Sequence, residues 1–176
     1  MIFTETKLPG AFVIDLEQFE DERGFFARCW SEKEFADRGL IGRLVETNIS
    51  FNCKAGTLRG MHFQTAPYAQ PKLVRCTAGA VYDVIIDLRP ESATFKQWAA
   101  VELSAANYRE LYIPAGFAHG FQTLVNNTEV LYQMLTPYVA ESARGVRWND
   151  PAFGIDWPAA ERIIIGRDQT YPDFNE

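Results

Sequence analysis

The sequence predicts an all-β fold: a small jelly-roll β-sandwich or barrel with a few short peripheral helices. Three observations predict it. Hydrophobic residues make up 47% of 176 positions and aromatics 14%, enough for a packed core and too many for a disordered chain. Short runs of strand-forming residues recur along the chain, each closed by a turn signal. Only one segment carries a clear helix signal, and many short strands with few helices favour a sandwich or barrel.

In chain order, "AFVIDL" (11–16) reads as the first strand. "SEKEFADRGL" follows as a helix of about two turns, with Ser31 and Glu34 at capping-box spacing and Gly39 as the stop. "TLRGMHFQ" (57–64) is a strand of unusual polarity. "KLVRCTAGAVYDVIIDLR" (72–89) reads as two strands joined by a hairpin at "TAG" (77–79). "ELYIP" (110–114), "GFAHGFQTLV" (116–125) and "EVLYQML" (129–135) complete the set, with a second hairpin at Asn126-Asn127. From Pro137 onward the chain is rich in Pro, Trp and Asp and is expected to be irregular. No internal repeat or linker composition interrupts it, so residues 1–176 are expected to form one domain.

Composition also narrows the function. A net charge of −6 disfavours a general nucleic-acid binder, which needs a broad basic surface, but not a small anionic ligand held by a few converging arginines. No apolar run approaches the ~18 residues of a membrane helix. The N-terminus lacks the pattern of a secretion signal, and three scattered cysteines suit a reducing compartment, so a cytoplasmic protein is expected.

The chemistry concentrates on two strands. Along 116–125, alternation points Phe117, His119, Phe121, Thr123 and Val125 one way, into the interior or a partner sheet. Along 57–64, His62 and Gln64 share a face, whereas a regular strand sends Arg59 to the other. Gly60 offers a bulge that re-aims Arg59, so that all three line one cavity. Plainer roles exist for each candidate. A strand histidine is more often a hydrogen-bonded core residue, Lys72 a solvated edge lysine, Tyr132 a core aromatic and Asp168 a turn residue. Two histidines without a nearby carboxylate make a poor metal site, so no metal and no cofactor are expected. No phosphate-binding glycine loop or serine-nucleophile motif is present. Metal-free acid–base chemistry, or plain binding, is what remains.

"DERGFF" (21–26), "LRGMHFQ" (58–64), "KLVRC" (72–76), "IPAGFAHGF" (113–121) and "RWNDPAFGIDWP" (147–158) together resemble the dTDP-4-dehydrorhamnose 3,5-epimerase family, in the same order from about Pro9 to Asp168. The resemblance implies a cupin-like, metal-free jelly roll, a cytoplasmic homodimer, and a nucleotide-diphosphate sugar bearing a 4-keto-6-deoxyhexose as substrate. By the family motif His62 is the base, Asp168 the carboxylate that orients it, Tyr132 the acid on the opposite face, and Lys72 the cation near the C4 oxygen. Arg59, Gln64 and His119 match pocket positions. Arg23, Phe25 and Asn48 match contacts to the nucleotide-sugar, and Tyr138 an aromatic that stacks on the base. Arg28 and Arg167 stand where the family has a glutamate and a lysine, and are also expected at the substrate. Glu46 and Ala143 are further departures, replacing a glutamine and a glutamate. The reaction type is therefore better specified than the substrate. Epimerisation at C3, C5 or both stays open, as do a CDP- or GDP-linked sugar, a ketoisomerase, a metal-dependent cupin and a sugar-binding module.

Overall fold

The structure, a computed structural model, describes residues 1–175. The first part of the chain contains β1 (Ile2–Glu5), β2 (Phe12–Asp15), β3 (Gln18–Asp21), β4 (Gly24–Ala27) and the helix α1 (Glu32–Ala36). The body of the sandwich follows: β5 (Glu46–Asn52), β6 (Thr57–Gln64), β7 (Lys72–Ala78), β8 (Ala80–Asp87), β9 (Trp98–Ser104), β10 (Glu110–Ile113), β11 (Phe117–Thr123) and β12 (Thr128–Met134). The C-terminal third adds only β13 (Ala143–Gly145), β14 (Ile163–Ile164) and the single turn α2 (Gly166–Gln169). Among the described residues, no helix is long and apolar enough to cross a membrane.

Two sheets face each other as a jelly roll. One has the order β1-β2-β10-β7-β12-β5 and the other β13-β6-β11-β8-β9, with β14 joining β6 in parallel. Strand alternation sends Val74, Cys76, Val81, Ile85, Leu103, Leu111, Phe117, Phe121 and Val130 into the space between them, where they form one apolar cluster. Burying a side chain such as Phe121 contributes roughly 2–3 kcal/mol. Outside the first sheet, α1 closes a second cluster through Phe35, packed edge-on to Phe3 and Tyr112. The hairpin of β3 and β4 forms a separate two-stranded sheet.

The expected strands are all present, but the turns at 77–79 and 126–127 close no hairpin, because β7 and β8, like β11 and β12, lie in opposite sheets; other elements also differ from expectation. The helix is five residues long, and only half of its capping box forms. Ser31 Oγ accepts from the Glu34 backbone N–H at 3.4 Å. The Glu34 carboxylate turns instead to two cations, the N-terminal ammonium at 3.4 Å and Arg28 at 3.3 Å. Val125 lies past the end of β11 and is exposed. Lys72 is not on an edge: β7 runs between β10 and β12, and the side chain is only 7% exposed. β5, "ETNISFN", was not expected as a strand. Of its inward residues, Asn48 and Ser50 face cavities rather than the apolar cluster, and the buried Asn52 donates to the Thr128 carbonyl and accepts from Arg59 Nε.

Candidate active site

β6 carries the site because it is irregular. Its register with β11 pairs His119 with His62 and Phe121 with Arg59, so two steps on β11 oppose three on β6. The extra residue turns Arg59 and His62 to the same inner face and sends Met61 into the cluster on the outer side. Gly60 allows this with φ of +129°, and a Cβ there would meet the Gly120 Cα at 2.5 Å. Gly60→Ala is therefore expected to destabilise the protein by on the order of 3 kcal/mol, read as a lower urea midpoint. An unchanged midpoint would mean that β6 and β11 do not need this close approach.

Arg59, His62 and Gln64 do line one cavity, about 570 Å³ in volume, at the β5–β6–β12 end of the sandwich. Asn48, Lys72, His119, Tyr132, Tyr138 and Arg167 line it too. A neighbouring groove shares Arg59, His62, Tyr132 and Arg167, and adds Asp168. Residues 62, 132 and 168, far apart in sequence, thus meet at one place.

His62 Nε2 lies 2.8 Å from Asp168 Oδ1, and the other carboxylate oxygen accepts the Gly60 backbone N–H at 3.1 Å. Burial alone would raise the Asp168 carboxyl, but bonds from His62, Gly60 and Arg167 hold it below its ordinary value. Asp168 is fully buried at the start of α2, so it serves as an anchor rather than as a turn residue. Among the described residues nothing bonds His62 Nδ1, which leaves that ring nitrogen for a ligand. Lys72 Nζ reaches from β7 across to the His62 carbonyl at 3.2 Å. Burial pushes its ammonium down to about 8, with Asp83 pulling the other way. Tyr132 projects from β12 in the facing sheet, and burial lifts its phenol to about 12, so it remains a protonated donor at neutral pH.

Two lining residues support others. His119 is buried with Nε2 3.0 Å from both oxygens of Asp83, and burial pushes its imidazole below the usual range despite that carboxylate. The Gln64 amide donates to the carbonyls of Tyr68 (2.8 Å) and Pro137 (3.1 Å) and accepts from the Val139 N–H (2.6 Å). Gln64 therefore holds the loop that presents Tyr138. Glu46 accepts from the Tyr138 N–H at 3.1 Å, reinforcing the same loop.

Three expected residues lie elsewhere. Arg23 sits at the tip of the β3–β4 hairpin, 85% exposed in its side chain and paired with Asp21. Phe25 packs edge-on against Tyr108, with ring centres 5.0 Å apart. Arg28 pairs with Glu34 beside α1. None of them lines the cavity of its own chain, because the hairpin forms its own small sheet apart from the strands that frame it.

Two residues at this site were missed from sequence. Asp83 faces inward between Val81 and Ile85, so a carboxylate on an otherwise apolar face of "VYDVIID" was the available signal. Tyr171, whose ring meets that of His62 at 6.4 Å and 74°, comes from an irregular segment with no period to read. Among the described residues, no three His, Cys, Asp or Glu side chains converge as a metal site.

Comparison with known proteins identifies a family. A family model described as dTDP-4-dehydrorhamnose 3,5-epimerase matches residues 5–176. A dTDP-4-dehydrorhamnose 3,5-epimerase of Sinorhizobium fredii is similar at 42% identity over 177 residues, covering 100% of this chain and 91% of that one. The crystal structure of a dTDP-4-dehydrorhamnose 3,5-epimerase from Bacillus anthracis, with TDP and PPi bound, superposes with a TM-score of 0.93 at 43% identity, covering 98% of this chain and 99% of that one. A dTDP-6-deoxy-D-glucose-3,5-epimerase from Legionella pneumophila, in complex with dTDP-4-keto-L-rhamnose, gives 0.88 at 37% identity, covering 95% and 89%.

Proposed function

Because the chain belongs to the dTDP-4-dehydrorhamnose 3,5-epimerase family, we propose that it epimerises a dTDP-linked 4-keto-6-deoxyhexose at C3 and C5. The observation that supports the reading is an imidazole and a phenol on facing sheets. His62 stands on β6, Tyr132 on β12, and the cavity lies between them.

The chemistry follows from that placement. A hydrogen on a carbon beside a ketone is weakly acidic because its removal gives an enolate. His62 Nδ1 takes this proton while Nε2–H donates to Asp168, which fixes the tautomer and stabilises the imidazolium. Lys72 supplies positive charge to the developing oxyanion. The Tyr132 phenol returns a proton from the opposite face, and the centre inverts. Arg59 and Arg167 bind the diphosphate through guanidinium geometry, and Tyr138 offers its exposed ring to the base. Neither proton transfer requires a metal.

The same proposal includes one domain, a cytoplasmic setting and a homodimer. Three unpaired cysteines suit the setting. The β3–β4 hairpin exposes Phe19 and Phe26, and the groove beside the cavity exposes Ile49, Phe51, Ile163 and Ile165. A second copy docking its hairpin there buries both apolar surfaces and brings Arg23 and Phe25 to a substrate.

The experiment is deuterium uptake by NMR in D₂O with chelator present, using dTDP-, CDP- and GDP-linked 4-keto-6-deoxyglucose. The expected result is exchange at C3 and C5 of the dTDP sugar with formation of the doubly inverted product. Migration of the keto group would mean a ketoisomerase, and no exchange with any sugar would overturn the enzymatic reading.

A further inference from the structure

Asp168 holds the His62 imidazole at one atom. Nε2 donates to Asp168 Oδ1 at 2.8 Å, which fixes where that nitrogen sits but not the tilt of the ring about it. The His62 side chain is 34% exposed on the wall of the cavity, so the ring has room to swing. A proton is taken efficiently only by an atom aimed at it, and a misplacement of about 1 Å can cost roughly 10²-fold. A second contact has to set the plane of the imidazole.

The neighbouring strand leaves that task open. β13 places Gly145 directly opposite His62, where a side chain would lie beside the imidazole. The Gly145 backbone is not in the left-handed region, so its conformation does not demand glycine. Tyr171 does. A Cβ on Gly145 would overlap Tyr171 Cζ, Cε2 and the hydroxyl oxygen, so the phenol ring occupies the place that the missing side chain leaves. From there it meets the imidazole edge-on, with ring centres 6.4 Å apart and planes at 74°. The segment behind it is clipped down. Arg147 donates to the Tyr171 carbonyl at 3.1 Å and pairs with Asp173, and the Phe174 N–H donates to Asp150 at 2.7 Å. One stretch of the C-terminal tail thus brings His62 both its carboxylate and an aromatic ring.

We propose that Tyr171 is a positioning residue that sets the plane of the His62 imidazole by ring packing and so aims Nδ1 at the substrate. The inference rests on His62 being the base, and adds what orients it. Asp168 fixes one nitrogen of the ring, Tyr171 limits its tilt, and Gly145 is small so that Tyr171 fits. The contact is made by the ring, so phenylalanine can replace the tyrosine and alanine cannot. Gly145→Ala pushes on the same ring from the other side, and therefore disturbs the base without touching it.

Two measurements test this. The first is ¹³C relaxation of the histidine ring carbons in the ligand-free protein, which reports how far each ring is ordered. The chain has two histidines, and His119, held by both oxygens of Asp83, is the reference. Tyr171→Ala is expected to lower the order parameter of His62 and leave that of His119 unchanged. The second is the rate of deuterium uptake into dTDP-4-keto-6-deoxyglucose. Tyr171→Ala is expected to lower kcat about 10-fold with KM within about twofold, as for a misaimed base rather than lost binding. Tyr171→Phe is expected to rescue both readouts. Gly145→Ala is expected to reproduce the loss in kcat, and to add nothing in the Tyr171→Ala background, where no ring remains to be displaced. The proposal is overturned by an unchanged His62 order parameter in Tyr171→Ala, by a KM that rises while kcat holds, by a phenylalanine variant as impaired as the alanine one, or by additive losses in the double variant. Failure of the epimerase reading shows separately, as absent uptake by the wild-type protein, while the relaxation comparison still decides the role of Tyr171.

Discussion

His62→Asn is expected to slow deuterium uptake from solvent into the 4-keto sugar by at least about 10³-fold, at the upper end of what one acid–base group contributes. Asparagine keeps a polar side chain of similar reach but has no basic nitrogen. Nothing else at the site replaces it. His119 is enclosed by Asp83, Lys72 is needed as a cation, and Asp168 is buried behind the imidazole. Tyr132→Phe provides the contrast. It leaves the base intact and removes the donor on the facing sheet, so deuterium still enters the substrate but returns to the face it left. Uptake without inversion in one variant, and neither in the other, assigns the two walls of the cavity. Equal loss of both processes in the two variants would mean that the phenol acts in the first proton transfer, and the two-sided scheme would fall. The His62→Asn fold is expected to persist, because His62 is partly exposed and the core beneath β6 is held by Met61 and Leu58.

Much of this arrangement was legible in the chain because β-structure writes a simple code. Period-two alternation placed Phe117, His119 and Phe121 on one inner face, and Gly60 signalled the bulge that brings Arg59 to the side of His62. The elements that escaped notice obey that code with altered chemistry. β5 alternates, but its inward positions are Asn48, Ser50 and Asn52, so an interior face reads as a loop. Lys72 looked like an edge lysine because sequence gives a strand's pattern and not its neighbours; burial arises only once β10 and β12 pair on either side of β7. Asp168 and Tyr171 reach the site from an irregular tail, where no period relates residue to place. For Asp168 the family resemblance supplied what spacing did not. For Arg23, Phe25 and Arg28 the same resemblance named residues that lie outside their own chain's cavity.

Lys72→Met is expected to lower turnover by about 10²–10³-fold, the usual loss when one oxyanion-stabilising group is removed, while raising the stability of the protein. Both effects come from one cause. Burial pushes the Lys72 ammonium down to about 8, against the opposing pull of Asp83. An unfolded lysine titrates near 10.4, so between those values the unfolded state binds more protons and stability rises with pH. Below about 8 the folded protein carries a buried charge that destabilises it by on the order of 2 kcal/mol, and methionine removes that charge at nearly constant volume. The same charge is what an enolate oxygen needs. Wild-type kcat/KM is accordingly expected to decline as pH rises through about 8, well before an ordinary lysine would lose its proton. Asp83→Asn, which withdraws the countercharge, moves that decline to lower pH. Urea midpoints at neutral pH, together with a pH profile of kcat/KM, check both halves. An active Lys72→Met protein would remove the ammonium from the mechanism. A less stable one would mean that the contact with the His62 carbonyl outweighs desolvation.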